Sequence, residues 1–481
     1  MNRMEQHPIL TFDKGRKVTF TFEGKTLEGY EGESVAAALH ANGVRVLHES
    51  EVKHRPRGLF CAIGNCSSCM MKVDGVPNVR TCVEPLREGL RVERQEGHAH
   101  PKLDVEIESR LGERRNLIET DILVVGAGPA GMCAAIEAAK GGAKVILVER
   151  GQKLGGQLVK QTHKFFGSEK QQAGTRGITI AEGLEKEIAA SPNIELWVNT
   201  SALGYYADGI VMVERDHQVE GILPKRVIVA TGAFEKNLVF PNNDLPGVYG
   251  AGAVQTLMNL EGVLPGKEVI MIGAGNIGLI VSYQLLQAGV NVKAVVEAAP
   301  RIGGYEVHAA KLRRAGVPIL TSHTVSYAYG EGKLEGAVIH QLDEKWQPIP
   351  GTEKDIKADI MCMAVGLSPL VELFFQAGCE MKFVPELGGY VPALDDCRRT
   401  SVGTIYAAGD ASGVEEASSA MLTGKIAGLS AANDLAAVDG FEEKFADYQG
   451  QLQMLRQGPG GAKIRSGVEK LKEGKCVDYA K

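Results

Sequence analysis

The sequence lacks several features that would point to particular classes of protein. No stretch approaches the roughly 18 consecutive apolar residues that a membrane span needs. Its first residues, "MNRMEQHPILTFDKG", contain no apolar run long enough for a signal peptide. The formal charge is −6, from 53 Lys and Arg against 59 Asp and Glu, so there is no basic excess to attract nucleic acid. These absences predict a cytoplasmic protein with no integral membrane segment, peripheral at a membrane only through a complex.

Cysteine is also scarce, but four of the nine cysteines stand close together in "FCAIGNCSSCMMKVDGVPNVRTC". The spacing is Cys-x4-Cys-x2-Cys-x12-Cys, at Cys61, Cys66, Cys69 and Cys82. Cytoplasmic thiols stay reduced, which argues against disulfides. Zinc sites usually use two Cys-x2-Cys pairs, whereas Cys-x4-Cys-x2-Cys is the plant-type ferredoxin spacing. The pattern therefore favours a [2Fe–2S] cluster over zinc. The last gap is shorter than in plant ferredoxins, so the match is to the cluster type and not to that family.

The segment before the cysteines predicts a ferredoxin-like fold. "RKVTFTFEGKTLEGYEGESVAAALHANGV" indicates two strands joined by a turn at "EGK", followed by a helix. Ser34 is the expected N-cap of that helix and Gly43 its end. We therefore expect a β-grasp domain over residues 8–97 and a polar linker over 98–117. "HRPRG" (54–58) either supplies positive charge near a cofactor or forms a solvated basic loop at the domain junction.

A dinucleotide-binding pattern follows in "TDILVVGAGPAGMCAAIEAAKGGAKVILVER". A strand leads into Gly126, Gly128 and Gly131 and then into a helix, whose N-terminus suits a pyrophosphate. Glu149 ends the next strand, where a carboxylate can bind both ribose hydroxyls. The alternative is a glycine-rich turn without a ligand.

The same pattern recurs in "KEVIMIGAGNIGLIVSYQLLQAGVNVKAVVEAAPRIGG". Here the loop residues are Gly273, Gly275, Asn276 and Gly278, and the acidic residue is Glu297. A carboxylate at this point repels a 2′-phosphate, so NAD is favoured over NADP. Another adenine nucleotide (ATP or ADP), or no ligand, remains the alternative for this second site.

Together the motifs resemble the two-dinucleotide-binding-domain flavoproteins. Their signatures "GAGPAG", "ATG", "GAGNIG" and a late "GD" occur here in order. The resemblance implies an α/β fold with an FAD domain in two parts, 118–250 and 381–435, around an NAD(P)-like domain at 251–380, and a helical tail at 436–481. It implies FAD contacts from Gly126, Gly128, Pro129, Ala130, Gly131, Glu149, Arg150, Gly156, Gln157, Ala230, Thr231, Gly232, Gly409 and Asp410.

The redox cysteine pairs of many such flavoproteins are missing. Cys133, Cys362, Cys379, Cys397 and Cys476 stand alone and are expected to be buried small side chains. This disfavours a thioredoxin or glutathione reductase. The single cysteine of the tail, Cys476, also gives no basis for the second cluster that several relatives carry there.

With its fused [2Fe–2S] domain, the chain resembles the α-type subunits of heteromeric amino-acid and amine dehydrogenases. These include dye-linked L-proline, opine and D-hydroxyproline dehydrogenases, hydrogen cyanide synthase and heterotetrameric sarcosine oxidase. The resemblance implies an FAD/[2Fe–2S] electron-transfer subunit, an amine-oxidising FAD partner subunit, and FMN at a subunit interface. A stand-alone NADH-dependent oxidoreductase and a nucleotide-binding scaffold are the alternatives. No catalytic acid or base, electron acceptor or specific substrate is predicted.

Overall fold

The computed structural model describes residues 2–95, 117–165, 170, 172–216, 218–458 and 460–473. They divide into two compact units. The first contains the described residues of 1–107 and Glu235–Gly366, and the second contains those of 108–234 and 367–481. The ferredoxin-like part thus shares a unit with the second nucleotide-binding part. The domain bounds given above stay predictions.

The ferredoxin-like part is a mixed sheet with one helix against it. Its sheet has the order β2-β1-β7-β5-β6, with β1 and β7 parallel. The predicted helix is confirmed, because the Ser34 hydroxyl accepts the Ala37 N–H at 3.2 Å and caps the first turn. The elements are β1 (Lys17–Phe22), β2 (Lys25–Tyr30), α1 (Val35–Ala41), β3 (His48–Glu49), β4 (Pro56–Arg57), β5 (Met70–Val73), β6 (Val76–Arg80) and β7 (Arg91–Glu93).

The first half of the second unit is a doubly wound sheet with an antiparallel extension. The order is β10-β9-β8-β13-β12-β11, in which β10, β9, β8 and β13 run parallel. The elements are β8 (Ile118–Val125), α2 (Pro129–Lys140), β9 (Val145–Val148), α3 (Gly177–Ala190), β10 (Ile194–Trp197), β11 (Thr200–Tyr205), β12 (Val211–Arg215) and β13 (Gln218–Val229).

The next segment builds a second, all-parallel sheet of order β15-β22-β16-β17-β18 and a meander β19-β20-β21. α4 continues into a π-helical turn, Thr256–Leu260. The elements are β14 (Ala233–Glu235), β15 (Val248–Gly250), α4 (Ala251–Gln255), β16 (Glu268–Ile272), α5 (Asn276–Gln287), β17 (Asn291–Val296), α6 (Glu306–Arg314), β18 (Ile319–Leu320), β19 (His323–Tyr329), β20 (Gly336–Gln341), β21 (Lys354–Lys357) and β22 (Ile360–Met363).

The last segment returns to the sheet of the second unit, where its strand β26 pairs with β13. The described residues of the tail form two helices, which pack on the rest of the unit through Leu452 and Val468. The elements are β23 (Leu367–Pro369), α7 (Glu372–Gln376), β24 (Met381–Val384), β25 (Gly389–Pro392), β26 (Ile405–Ala407), α8 (Ala417–Asn433), α9 (Phe441–Arg456) and α10 (Ala462–Glu473).

Burial explains why the ferredoxin-like part and the second parallel sheet form one unit. A single hydrophobic core runs from Phe20 and Leu39 of the first to Tyr249, Leu257 and Val269 of the second. Apolar surface removed from water contributes about 25 cal/mol per Å². The predicted α/β fold with two dinucleotide-binding motifs and a ferredoxin-like domain is confirmed.

Candidate cofactor sites

The four clustered cysteines meet in the loop between β4 and β5 and at the end of β6. Cys61, Cys69 and Cys82 are buried, and Cys66 is partly exposed. Hydrogen bonds join the thiols in the order Cys66, Cys61, Cys82, Cys69. Cys61 and Cys69 accept these bonds, which lowers the pKa of both thiols. Two of the four sulfurs are thereby favoured as thiolates, the form that binds a metal.

Backbone N–H groups also point at the sulfurs. Gly64 N–H lies 3.3 Å from the Cys82 Sγ, and Cys66 N–H lies 3.4 Å from the Cys61 Sγ. Such bonds are one of the means by which a protein tunes an iron–sulfur cluster. Among the described residues, no three His, Cys, Asp or Glu side chains surround one point as a single metal ion requires. The Cys-x4-Cys-x2-Cys spacing and these backbone donors fit a two-iron cluster.

The basic motif before the cysteines is a clamp inside the first unit. Arg55 donates to Asp244 at 2.6 Å and to Asn242 at 2.9 Å, and Arg57 also pairs with Asp244. Burial works to raise the pKa of Asp244, but the hydrogen bonds and charges of Arg57 and Arg55 hold it below its ordinary value. The motif is thus neither a freely solvated loop nor an isolated positive patch, because Asp244 neutralises part of its charge.

A second, buried contact reinforces this clamp. The Tyr249 hydroxyl lies 2.8 Å from an Arg45 guanidinium nitrogen and 3.2 Å from His40 Nε2. Arg45 also donates to the Pro265 carbonyl. Burial, with the charge of Arg45, lowers the pKa of His40 to about 3, so this ring is neutral. The ferredoxin-like part is therefore fixed on the second nucleotide-binding part by a satisfied polar network.

The first glycine loop joins β8 to α2. A Cβ at Gly131 would collide with the Gly126 carbonyl oxygen, so the helix can approach the loop only with glycine there. At Gly128, by contrast, a Cβ would meet no atom within 4 Å, which leaves open space beside the helix N-terminus. The Glu149 carboxylate accepts the N–H groups of Ala127 at 2.8 Å and Gly151 at 2.7 Å. This geometry, which we call the first cradle, fits a pyrophosphate at the helix N-terminus, with a carboxylate beside it where a ribose would lie.

Segments from elsewhere in the second unit complete this first cradle. A Cβ at Gly126 would stand 2.5 Å from the Ala230 carbonyl oxygen, so the "ATG" segment lies directly against the loop. Gly232 accepts the Leu370 N–H at 2.9 Å, and the Thr231 hydroxyl donates to the Leu370 carbonyl at 2.8 Å. These bonds join the segment that follows β13 to the segment that follows β23.

The late "GD" lies where α8 packs against the start of α2. Gly409 N–H donates to the Thr423 hydroxyl at 3.0 Å, and a Cβ at Gly409 would stand 2.7 Å from that of Ala130. The Asp410 carboxylate accepts the Glu415 N–H at 3.2 Å. Burial nevertheless raises the pKa of Asp410 to about 7. A half-buried acceptor of this kind suits the hydroxyl-rich part of FAD.

The "GGQL" segment folds over the first loop. Gly155 N–H donates to the Ala127 carbonyl at 2.8 Å, and a Cβ at Gly156 would stand 2.9 Å from the Gly128 Cα. Gln157, next in the chain, is exposed and precedes a short 3₁₀ turn. Pro129 and Ala130 open α2, and Arg150 follows Glu149, so the predicted FAD residues of this half line one loop cluster.

The second cradle repeats the first almost contact for contact. A Cβ at Gly278 would collide with the Gly273 carbonyl oxygen, and Gly275 again faces open space. The Glu297 carboxylate accepts the N–H groups of Ala274 at 2.7 Å and Ala299 at 2.9 Å. The residues therefore fit an adenine dinucleotide in the same way as those of the first cradle.

Sequence reasoning missed the segment that covers the second loop. Gly303 and Gly304 donate to the Ala274 carbonyl at 3.1 and 3.0 Å, and Tyr305 N–H donates to the Asn276 side chain at 2.8 Å. The signal was present, because "IGGY" follows the second loop at about the interval at which "LGGQ" follows the first. Two carboxylates had no recognisable signal in the sequence. They are Asp244, which pairs with Arg55 and Arg57, and Glu235, which accepts the Gly252 N–H.

Three of the four described isolated cysteines are buried as expected, whereas the expectation is wrong for Cys397. Cys133, Cys362 and Cys379 are buried, and Cys397 is partly exposed. Burial raises the pKa of Cys133 to about 12 and raises those of Cys362 and Cys379 as well. Cys476 lies outside the described residues. No helix among the described residues is long and apolar enough to cross a membrane.

Comparison with known families agrees with this geometry. Residues 120–424 match the pyridine nucleotide-disulphide oxidoreductase model, and residues 15–97 match the 2Fe-2S iron-sulfur cluster binding domain. The chain belongs to the pyridine nucleotide-disulphide oxidoreductase family. It is an FAD-dependent oxidoreductase of that family with a [2Fe–2S] domain at its N-terminal side, and its cofactors are FAD and the cluster.

Relatives of this family member include components of multi-subunit oxidases. The alpha subunit of sarcosine oxidase from Corynebacterium sp. (strain P-1) is 29% identical over 89% of this chain and 45% of the relative. One subunit of the opine oxidase of Agrobacterium tumefaciens (strain Ach5) is 28% identical over 66% of each chain. The chain spans less than half the length of the sarcosine oxidase subunits that it matches.

A solved structure extends the likeness to nearly the whole chain. The crystal structure of L-proline dehydrogenase from P. horikoshii superposes with a TM-score of 0.71 at 27% identity. The match covers 93% of this chain and 79% of that one.

Proposed function

We propose that this chain is the FAD- and [2Fe–2S]-carrying electron-transfer subunit of a complex that oxidises an amino acid with a secondary amine. Proline, hydroxyproline, opines and sarcosine share that group. The observation that carries the proposal is the cysteine loop, fitted for a two-iron cluster and held on the same chain as an FAD cradle. The names of the relatives, sarcosine oxidase, opine oxidase and L-proline dehydrogenase, support the substrate class.

The cofactors divide the chemistry between two-electron and one-electron steps. Bound FAD exchanges electron pairs or single electrons, and a [2Fe–2S] cluster exchanges single electrons. The residues of this chain supply binding and orientation. Glu149 and the N-terminus of α2 hold the adenosine and pyrophosphate part of FAD, and Asp410 accepts a hydroxyl. Four cysteines hold the cluster, and of these four only Cys66 is partly exposed. They are Cys61, Cys66, Cys69 and Cys82.

The amine would be oxidised on a separate FAD-containing subunit, so this chain needs no substrate acid or base. That partner is of the amine-oxidase or glycine-oxidase type, and FMN at the contact between the subunits is part of the proposal. We also propose that Glu297 and the second loop bind an adenine nucleotide with a free 2′-hydroxyl. We place the complex in the cytoplasm, with any membrane association made through its other components.

A second candidate function rests on the second cradle. Because its loop, acid and helix repeat the first cradle, it has the features needed to bind NADH. The chain would then be a self-sufficient NADH-dependent oxidoreductase that reduces an acceptor through the cluster. The two functions differ in where electrons enter, so one experiment separates them.

The test uses a tagged chain purified from its own cells with the subunits bound to it. Under anaerobic conditions, L-proline, sarcosine and trans-4-hydroxy-L-proline are added separately, with glycine as the primary-amine control. We expect at least one secondary amine to bleach the flavin and produce the reduced-cluster EPR signal in the complex, and none to do so in the isolated chain. Reduction of the isolated chain by NADH, without any response of the complex to amines, would favour the second function.

A pair of cysteine variants checks the cluster assignment within the same experiment. Cys66→Ser should abolish the EPR signal while the flavin is still bleached. Cys133→Ser, at an isolated buried cysteine, is the matched control and should retain both signals. An unchanged EPR signal in Cys66→Ser would show that the loop is not the cluster site.

A further inference from the structure

The cluster loop contacts the second nucleotide-binding part at one of its own ligands. Gly250 N–H donates a 2.9 Å hydrogen bond to the carbonyl of Phe60, the residue bonded to Cys61. The Phe60 side chain packs against the core that contains Phe240 and Val248. The backbone at Cys61 is therefore fixed to the end of β15, and both partners of the bond lie within the first unit.

A carboxylate lies on this contact. Glu235 Oε1 accepts the Gly252 N–H at 2.8 Å. A Cβ at Gly250 would collide with Glu235 Oε2 and would stand 3.2 Å from the Phe60 carbonyl oxygen. Glu235 is half-buried. The carboxylate and the peptide that carries Cys61 thus crowd the same face of Gly250, and only a glycine leaves room for the carboxylate there.

The other end of the cysteine loop has the opposite charge beside it. The exposed Arg80 side chain points its Nε at the Cys66 carbonyl oxygen, 3.4 Å away. Cys66 is the partly exposed ligand, whereas Cys61 is buried. The loop therefore has a carboxylate on its buried side and a guanidinium on its exposed side. Charge and hydrogen bonding around the sulfurs are among the factors that set the reduction potential of such a cluster.

We propose that Glu235, held beside the cluster loop at the Gly250–Phe60 contact, lowers the reduction potential of the cluster through its negative charge. Reduction adds negative charge, and a half-buried carboxylate that is screened less than a surface charge opposes that addition. A lower potential makes the reduced cluster a stronger donor to the next acceptor. The inference rests on the proposed function only in that it requires the cluster.

The test is a potentiometric titration of the whole chain, followed by the EPR signal of the reduced cluster. Glu235→Gln preserves the shape and can still accept the Gly252 N–H, while it removes the charge. We expect reduction of this variant to be favoured about fivefold, which is about 41 mV upward at 59 mV per tenfold for one electron. Glu235→Asp, which keeps the charge, should stay close to the parent chain.

Three further variants make the result specific. Glu268→Gln removes a half-buried carboxylate of the same unit that pairs with Lys293, and should leave the potential unchanged. Arg80→Gln should shift the potential downward. Glu235→Ala removes the charge and the hydrogen bond together, should shift the potential upward, and serves if Glu235→Gln does not fold.

The outcomes separate this inference from the proposed function. Equal potentials in the parent chain, Glu235→Gln and Glu235→Ala overturn the role of Glu235 and leave the cluster and the proposed function standing. Equal upward shifts in Glu235→Gln and Glu268→Gln also overturn it, because the effect would then be one of net charge. A parent chain that gives no cluster signal after reconstitution with iron and sulfide overturns both.

Discussion

The two nucleotide cradles have the same loop but different surroundings. α2 is buried on all sides from Ala130 to Ala139. This follows from α8, which crosses α2 so closely that a Cβ at Gly424 or Gly428 would collide with a carbonyl oxygen of α2. α5, in the second cradle, is buried along one side only, and Ile277 in its first turn is 38% exposed.

The difference indicates how each nucleotide is held. The first cradle is completed by Gly409, Asp410 and α8, which come from the far end of the chain, so it is whole only when the second unit has folded. The second cradle is covered by a loop next to it, Gly303–Tyr305, and its helix faces outward. We infer that FAD stays resident in the first cradle, whereas the nucleotide of the second exchanges with the medium.

The largest effects are expected where a methyl group would enter the glycine loops. Gly131→Ala places a Cβ on the Gly126 carbonyl oxygen, and Gly278→Ala does the same to Gly273 in the second cradle. Overpacking of about 3 kcal/mol would weaken nucleotide binding roughly a hundredfold. Gly131→Ala should lose FAD, measured by its absorbance per chain after gel filtration. Gly278→Ala should keep FAD and lose binding of ADP or NAD in calorimetry.

Loss of FAD in both variants would contradict the independence of the two cradles. Loss in neither would show that the loops tolerate the added methyl group, and the close approach at Gly131 would then not be required for binding.

The next effect tests the crossing of α2 and α8. Gly424→Ala adds a Cβ that collides with the Ala130 carbonyl oxygen, and should destabilise the second unit by about 2 kcal/mol. Gly183→Ala is the matched control, since this glycine of α3 is exposed and a Cβ there meets nothing within 4 Å. It should be stabilising by about 0.5–1 kcal/mol. Urea unfolding followed by flavin release measures both, and equal effects would contradict the account.

A smaller effect is expected from the clamp that joins the second cradle to the ferredoxin-like part. Asp244→Asn leaves Arg55 and Arg57 without their shared carboxylate and should cost the first unit about 1.5 kcal/mol. Because the pKa of Asp244 is lower in the folded chain than its ordinary 3.8, the contribution is complete above pH 3.8 and is lost as the pH falls below it. Urea unfolding at pH 7 and at pH 3 should therefore show a difference that shrinks in acid. A constant difference would count against the ion pair.

The smallest effects on nucleotide binding are expected at the two acidic residues that directly follow β9 and β17. Each accepts two backbone N–H groups beside its loop, Glu149 in the first cradle and Glu297 in the second. Gln offers one acceptor oxygen instead of two, so each substitution should cost about 1 kcal/mol, or roughly fivefold in affinity. Glu297→Gln should weaken ADP binding in calorimetry without affecting FAD. An equal loss of FAD would contradict the separation of the sites.

Much of both sites could be predicted from the sequence, because their chemistry depends on local patterns. The spacing of Cys61, Cys66 and Cys69 indicates a cluster loop, and the two glycine motifs with Glu149 and Glu297 each form one continuous strand–loop–helix–strand unit. Residue type and interval decide such features, so the fold class and the cofactors followed from them. The assignment of individual residues to ligand atoms stays a prediction.

What could not be predicted depends on contacts between distant segments. Arg55 and Arg57 read as a basic loop until the fold brings Asp244 to them, almost two hundred residues later. Glu235 looks like an ordinary charged residue at the end of "ATGAFE". Only the fold brings Gly250 and Phe60 close to it, and Phe60 is bonded to the cluster ligand Cys61. These contacts form only through tertiary packing, so the spacing of residues along the chain does not reveal them.

We expect electrons to enter this chain from a partner subunit rather than from NADH. The most direct test is anaerobic mixing of the isolated chain with NADH, followed through flavin absorbance and the reduced-cluster EPR signal, with dithionite as the positive control. We expect NADH to change neither signal, whereas dithionite should bleach the flavin and produce the reduced-cluster EPR signal. Reduction of the flavin and the cluster by NADH within seconds would contradict this expectation and make the second cradle the entry point for electrons.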